Sequence, residues 1–406
     1  VPGRPKSNGP SSVLSRFVDR RISNLCGQSL TLDTSPYAAA GWAVAQRALM
    51  KTTRSGGCRR GAVSARFGCF RCPVRIMVGM TTVFLNGGFV SRTEARVSAF
   101  DAAIQHGVGL FETMLAVADS ADEPRVIHLE AHLERLAHSA EMLGLAETIN
   151  TGALADAIRM TIRQAAADSR ETIRFRLRLT ITGGDLNLLE AARGGEERVQ
   201  QPTVMIVAQP ATKYPEELFS RGTTVVLGDY KLNPLDPFAG HKTVNYWARL
   251  RELQSAAAKR AGEALLLQVS NHVAGGCVSN LLLVKDEEVY TPICRGEELE
   301  VAEGVDGDGI EAFGEHETPA VIPSPVLPGV VRRWALETLK TEGVKTERRL
   351  LSLQDVLDAD EVFLTNSSWG VMPVVRVETR TIGDGSVGPI ARMLVDEWRE
   401  ATASKA

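Results

Sequence analysis

The residues of this sequence that could support chemistry are scattered, and each of them alone has an ordinary structural interpretation. Lys242, in the run Gly240-His-Lys-Thr-Val-Asn-Tyr246, is a lysine just before a predicted helix. Arg135 occupies a predicted helix, where it could simply be solvated, and Gly329 stands where a glycine commonly precedes a helix. A lysine can act as a nucleophile or a base, and an arginine can hold an anion. Only their order and context can decide between these roles.

Two segments suggest metal binding, and both signals are weak. Cys69 and Cys72 have the spacing of a zinc-binding pair, but a second well-placed pair is missing. Residues 306–311 alternate acids with glycines, as calcium loops do, without the full series of ligands that such loops need. We therefore predict no metal site.

Composition limits the class of protein. A hydrophobic content of 44% and a charged content of 23% over 406 residues are typical of a soluble protein with room for two domains. No apolar stretch has the length of a membrane span, and a net charge of -3 favours neither a nucleic-acid nor a membrane partner. Cys277 and Cys294, the two cysteines beyond residue 79, indicate a reducing, cytoplasmic setting and no disulfide framework.

Residues 1–79 differ from the rest of the chain. They carry eleven Arg and two Lys against Asp19 and Asp33, a balance of +11, so residues 80–406 carry -14. The favoured interpretation of this leader is a translation start assigned too far upstream, with Met77 or Met80 as the true first residue. A transit peptide and a zinc site at Cys69 and Cys72 are the alternatives. We leave the leader out of the prediction of the fold.

The patterns beyond the leader predict a mixed α+β and α/β fold. Helical spacing over 128–145 and 153–167, with strands at 83–85, 174–182 and 203–208, indicates a small N-terminal α/β domain over 80–208. The proline-rich segment 209–216 is predicted to be a linker. A larger domain over 217–406 follows, with strands and helices alternating and a helix after Gly329. Residues 295–320, with nine acids and five glycines, are predicted to form a solvated insertion.

The order of several short runs resembles one enzyme family. The runs are Gly107-Val-Gly-Leu-Phe-Glu-Thr113, His128-Leu-Glu-Ala-His-Leu-Glu-Arg135, Lys242-Thr-Val-Asn245, Val278-Ser-Asn280, Leu327-Pro-Gly-Val-Val331 and Thr365-Asn-Ser367. In order and rough spacing they resemble the class IV pyridoxal-phosphate family: branched-chain and D-amino acid aminotransferases and aminodeoxychorismate lyase. The resemblance covers about 83–400. It implies a two-domain fold, a cofactor in the cleft between the domains, and a homodimer.

The resemblance also implies roles for individual residues. Lys242 would form a Schiff base with the aldehyde of pyridoxal 5′-phosphate and then carry a proton of the substrate. Arg135 would hold the cofactor phosphate. The remaining expected cofactor contacts are the backbone amides of Val330 and Val331 after Gly329, the hydroxyl of Ser367, and the side chain of Leu327 against the pyridine ring.

One position departs from the family. A glutamate that pairs with the pyridine nitrogen stands five residues before the asparagine of the family motif, and here Gly275 occupies that position. The sequence leaves three explanations open: another carboxylate or a water replaces the glutamate, the activity is weak, or turnover is lost. In the last case Gly275→Glu would be expected to restore it. A substrate-binding arginine is also missing after the strand at 174–182, since none follows before Arg193.

The resemblance therefore predicts an aminotransferase that moves an amino group between an amino acid and a 2-oxo acid. Two alternatives stay open. The first is aminodeoxychorismate lyase, which releases 4-aminobenzoate and pyruvate. The second is a cofactor-binding protein with weak or lost turnover.

Overall fold

The computed structural model describes residues 81–118, 124–167, 173–185, 201–298 and 322–403. The leader 1–79, with Cys69 and Cys72, and most of the acidic segment 295–320 lie outside these ranges, so the interpretations made of them stay predictions. Within the described residues, no helix is both long and apolar enough to cross a membrane.

The N-terminal part is built on a six-stranded sheet in the order β2-β1-β6-β5-β3-β4, and all of its paired strands are antiparallel. The first two strands form a hairpin at Asn86-Gly87, where both residues adopt positive φ values of 47° and 93°. The strands are β1 (Thr82–Leu85), β2 (Gly88–Val90), β3 (Gly109–Ala118), β4 (Arg125–Val126), β5 (Ile173–Thr182) and β6 (Val204–Pro210).

Two of the three helices described in this part of the chain cover one face of the sheet. The helices are α1 (Ala102–His106), α2 (Leu129–Met142) and α3 (Thr151–Ala166). Alternate residues of β3 and β5, such as Met114 and Leu177, pack with α2 and α3 in one buried core. The intervening residues, including Phe111 and Arg178, therefore project from the face turned away from these helices.

A second sheet follows in the order β12-β11-β10-β13-β14-β7-β8-β9, with a short β15 paired to β14. Strand β7 runs parallel to both β14 and β8, so the sheet is mixed. Its strands are β7 (Thr223–Leu232), β8 (Glu263–Gln268), β9 (Val273–Gly276), β10 (Asn280–Lys285), β11 (Glu288–Thr291), β12 (Thr346–Arg348), β13 (Glu361–Asn366), β14 (Gly370–Val377) and β15 (Arg380–Thr381). Its helices are α4 (Glu217–Ser220), α5 (Trp247–Ala258), α6 (Val330–Thr341), α7 (Leu353–Leu357) and α8 (Pro389–Ala401).

Two local features differ from the expectation. The strand predicted to end at residue 208 continues to Pro210, because β6 pairs with β5 through Gln209 and Pro210 and so takes the first two residues of the expected linker. The ten-residue β3 was not expected as a strand. It is buried on both faces and so has no alternation to reveal it. The division into domains at 80–208 and 217–406 stays a prediction.

Candidate active site

Lys242 is held at the start of β3 by backbone hydrogen bonds. The amide of Phe111 donates to the carbonyl of Lys242 over 3.0 Å, and the amide of Val244 donates to the carbonyl of Gly109, also over 3.0 Å. The segment ends at Tyr246, which precedes the first residue of α5. The backbone at Lys242 is thus fixed to the start of β3 by hydrogen bonds on either side of Thr243.

Two aromatic rings enclose the amine of Lys242. Its Nζ lies 4.8 Å from the centroid of the Phe111 ring and 5.5 Å from that of Tyr246. The rings themselves meet edge to face, with centroids 5.1 Å apart. Such rings favour a cation over their faces and limit its contact with water. Lys242 is thus half-buried against the rings of Phe111 and Tyr246, which we call the aromatic corner.

The pKa of the Tyr246 phenol reflects the positive charges around this corner. Burial acts to raise its pKa, but Lys242, Arg249 and Arg135 together lower it below the usual value. The residue that would bind the cofactor aldehyde and the one that would bind its phosphate therefore act on the same phenol. Tyr246 was not among the residues singled out from the sequence.

Arg135 is anchored by a buried carboxylate. Its Nε donates to Oε1 of Glu112 over 2.9 Å and its Nη2 donates to Oε2 over 2.7 Å. Its Nη1 donates to the carbonyl of Pro328 over 2.8 Å. Burial acts to raise the pKa of Glu112, but the charge of Arg135 and the hydrogen bonds of His132 and Arg135 hold it at about 2. The guanidinium is oriented toward the start of α6, with N–H groups left for an anion.

His132 extends this network to Ser367. It stands one turn before Arg135 on α2, and its Nδ1 lies 2.8 Å from Oε2 of Glu112. Its Nε2 lies 3.3 Å from the hydroxyl of Ser367. Burial keeps the pKa of His132 below its usual value, although Glu112 acts to raise it. Two predicted phosphate ligands, Arg135 and Ser367, therefore belong to one buried hydrogen-bonded chain.

The start of α6 completes the group of anion-binding features. Gly329 precedes the helix and has no side chain to cap its first amides, which belong to the buried residues Val330 and Val331. A Cβ atom at Gly329 would stand 1.9 Å from Oδ1 of Asn280, whose Nδ2 donates to the carbonyl of Leu327 over 2.8 Å. The glycine is therefore required by the close approach of Asn280, which also fixes Leu327.

Gly275 lies in β9 in a conformation that disfavours a side chain. Its φ is 133°, and a Cβ atom there would stand 2.9 Å from the carbonyl oxygen of Ser279. The expectation that Gly275→Glu would simply restore a missing carboxylate therefore conflicts with the backbone, which would have to change as well.

Arg178 is a further site residue that the sequence did not reveal. Its guanidinium carbon lies 3.7 Å from the centroid of the Phe111 ring, the same ring that Lys242 approaches. Burial and the neighbouring Arg176 lower the pKa of Arg178 to about 10. The alternation of β5 had been interpreted as a half-buried strand, and its charged residue Arg178 faces the aromatic corner. Arg193 lies outside the described residues.

Known proteins resemble this chain over most of its length. The family model described as "Amino-transferase class IV" matches residues 109–300 and 314–377. A putative branched-chain-amino-acid aminotransferase of Methanocaldococcus jannaschii is 26% identical over 318 residues, which are 78% of this chain and 95% of that protein. A D-alanine aminotransferase of Staphylococcus haemolyticus is 22% identical over 333 residues, which are 80% of this chain and 99% of that protein.

A solved structure supports the fold. The branched-chain amino acid aminotransferase of Escherichia coli matches with a TM-score of 0.64 and 22% identity, and the match covers 80% of this chain and 96% of that one. The chain belongs to the class IV aminotransferase family, whose cofactor is pyridoxal 5′-phosphate. The predictions of family, mixed fold and cofactor are thereby confirmed.

The residues present fit this cofactor. Its phosphate is a dianion, for which Arg135, Ser367 and the first amides of α6 would supply donors, with no side chain at Gly329 in the way. Its aldehyde needs an amine, which Lys242 would supply beside the Phe111 ring.

Proposed function

We propose that this chain is an aminotransferase in which Lys242 binds the cofactor aldehyde and transfers the proton at the substrate α-carbon. The observation that carries the proposal is the enclosure of the Lys242 amine by Phe111 and Tyr246, beside a network that presents Arg135. Pyridoxal phosphate, when bound, supplies the electron-withdrawing ring that such chemistry needs.

Lys242 is positioned for proton transfer by its surroundings. The cationic groups Arg135 and Arg249 act on the same phenol as Lys242, so the corner as a whole favours anions. The backbone bonds to β3 fix the Cα of Lys242 and restrict the amine to a small region.

The phosphate ligands of the proposal are Arg135, Val330, Val331 and Ser367. Glu112 would orient Arg135 without neutralising its remaining donors, and Gly329 would let the helix start approach closely. Leu327 would lie against the ring, at a position that Asn280 fixes. These donors would keep the cofactor bound between the two halves of the reaction.

Arg178 is proposed to bind the substrate carboxylate. It projects from the same face of the N-terminal sheet as Phe111, and within the described residues it forms no ion pair with a carboxylate. A half-buried guanidinium that contacts the same ring as the amine would orient an amino acid by its carboxylate. The matched branched-chain enzymes support a branched-chain amino acid and its 2-oxo acid as the substrates.

Weak or lost turnover remains a second candidate, and Gly275 is the observation that favours it. Its backbone cannot accept the family glutamate without change. The lyase activity and the homodimer are retained as predictions from the resemblance, and the cytoplasmic location is retained as a prediction from the cysteine content.

The test is a spectral titration of the purified protein with pyridoxal phosphate. We expect a long-wavelength absorbance band in the wild type that is missing in Lys242→Ala and kept in Lys259→Ala, an exposed control lysine. Conversion of this band by L-leucine, and its recovery with a 2-oxo acid, would support transamination. A stable band that no amino acid changes would favour the second candidate. Pyruvate release from aminodeoxychorismate would favour the lyase.

The role of Arg178 is tested by kinetics. Arg178→Gln is expected to raise KM for the amino acid about tenfold or more while leaving the affinity for the cofactor unchanged, since it loses a charged hydrogen bond. Arg159→Gln, a partly exposed arginine of α3, is the control. An unchanged KM in Arg178→Gln would contradict the assignment.

A further inference from the structure

The position of the family glutamate holds no carboxylate, and charged side chains lie near it. Gly275 has no side chain, and its φ of 133° and the nearby carbonyl of Ser279 exclude a simple replacement. Two charged residues reach the segment that contains it. One is the acid Glu263 of β8 and the other is the base Arg249 of α5.

Glu263 is held by hydrogen bonds to the loop that follows Gly275. Its side chain is fully buried, and it accepts hydrogen bonds from the amide of Val278 over 2.9 Å and from the hydroxyl of Ser279 over 3.0 Å. A Cβ atom at Gly276 would stand 2.6 Å from its Oε1. Burial raises the pKa of Glu263 to about 7, although these hydrogen bonds act to lower it. The carboxyl group is thus committed to the loop after Gly275.

Arg249 reaches the same segment and lies next to the aromatic corner. Its Nη1 donates to the carbonyl of Cys277 over 3.2 Å and lies 3.4 Å from that of Gly276. Its guanidinium carbon lies 5.6 Å from the centroid of the Tyr246 ring, which Lys242 approaches as well. Within the described residues Arg249 forms no ion pair with a carboxylate, and its Nη1 bonds leave other N–H groups to donate.

We propose that Arg249 donates a hydrogen bond to the pyridine nitrogen of the cofactor and keeps this nitrogen unprotonated. The inference rests on the proposed function in that the cofactor must bind through Lys242. An unprotonated pyridine nitrogen has a lone pair and no hydrogen, and it complements a guanidinium, which has only donors. A protonated nitrogen would face Arg249 with a second donor and a second positive charge.

The titratable groups around Arg249 do not reverse this preference. Tyr246 is flanked by cations, Glu263 is bound to the loop, and the thiol of Cys277 has its pKa raised by burial and by Glu263. Glu252, one turn later on α5, accepts from the amide of Asp229 over 3.1 Å. The ring would consequently withdraw electrons less strongly than in a member of the family with the glutamate.

The direct test is the nitrogen-15 chemical shift of ring-labelled pyridoxal phosphate bound to the wild-type protein. We expect the shift of an unprotonated pyridine nitrogen across the neutral pH range. The shift of a protonated nitrogen would overturn the inference while leaving the proposed function intact. If the labelled cofactor does not bind at all, the proposed function fails, and this inference fails with it.

A second test uses 1-deaza-pyridoxal phosphate, in which a C–H group replaces the ring nitrogen. The wild type is expected to bind this analogue about tenfold or more weakly than the natural cofactor, because a charged donor loses its acceptor. The ratio of the two dissociation constants should approach one in Arg249→Met and persist in Glu263→Gln. If this ratio falls to one in Glu263→Gln but stays at its wild-type value in Arg249→Met, the role of Arg249 is contradicted. A ratio near one in the wild type would contradict it too, and that measurement needs no variant to fold.

Discussion

Glu112 and Arg135 form a doubly hydrogen-bonded ion pair that is buried on the carboxylate side, with N–O distances of 2.9 and 2.7 Å. The carboxylate is 1% exposed and the guanidinium is 10% exposed. The acid belongs to β3 and the base to α2, so the pair joins the sheet to its covering helix. It also orients Arg135 toward the carbonyl of Pro328 at the start of α6.

Removal of the Glu112 carboxylate should destabilise the folded protein. Glu112→Ala leaves Arg135 without its partner, and the expected loss in the free energy of unfolding is about 3 kcal/mol, typical of a broken buried pair. Chemical denaturation measures this loss. Glu134→Ala, on the exposed side of α2, is the control and should change the free energy by less than about 0.5 kcal/mol. Equal effects of the two substitutions would contradict a special role of Glu112.

The shape of the Arg135 side chain should matter as well as its charge. Arg135→Lys keeps the charge but cannot bond Glu112 with two donors while still reaching the carbonyl of Pro328. We expect the affinity for pyridoxal phosphate to fall about tenfold or more, measured by absorbance titration of the apoprotein. Arg159→Lys on α3 should leave this affinity unchanged. Wild-type affinity in Arg135→Lys would argue that charge alone suffices.

Gly329 should not tolerate a methyl group. The Cβ of Gly329→Ala would meet Oδ1 of Asn280 at 1.9 Å, so either Asn280 or the start of α6 must shift. A loss of about 1–3 kcal/mol in the free energy of unfolding is expected, together with weaker cofactor binding. Gly152→Ala, near the start of α3, meets only an atom at 3.5 Å and should be neutral or stabilising. If both variants behave alike, the close contact with Asn280 has no energetic consequence.

Glu263 should make the stability depend on pH. Its pKa in the folded protein is about 7, above the value of 4.5 for a free side chain. A raised carboxyl pKa contributes stability that is complete below 4.5 and is lost as pH rises through 7. Glu263→Gln should therefore gain stability relative to the wild type between about pH 5 and pH 8, by about 3 kcal/mol at most. Thermal unfolding across this pH range measures the difference, and a constant difference would contradict the shifted pKa.

The sequence predicted those elements whose patterns are local. The helix α2 was expected over 128–145 and forms over Leu129–Met142, since His128 takes a positive φ of 54° and stays outside it. The strand β5 was expected over 174–182 and begins one residue earlier. The helix α2 and the first six residues of β5 bury mainly one face, and that asymmetry produces a visible period.

What the sequence could not predict depends on contacts between distant segments. Glu112 and Arg135 lie 23 residues apart, and their pairing follows from the packing of α2 on β3. Arg178 and Lys242 approach the same ring from different parts of the chain. The conformation of Gly275 also depends on Ser279 and on the pairing of β9 with β8. No single-sequence period encodes such relationships.

The most direct test of the central claim is to locate the covalent attachment of the cofactor. The protein is saturated with pyridoxal phosphate, reduced with borohydride, digested, and analysed by peptide mass spectrometry. We predict a phosphopyridoxyl group on the peptide that contains Lys242, and none on it when Lys242→Ala is treated in the same way. Specific modification of another lysine, such as Lys213 or Lys231, or no modification of the wild type, would contradict the account.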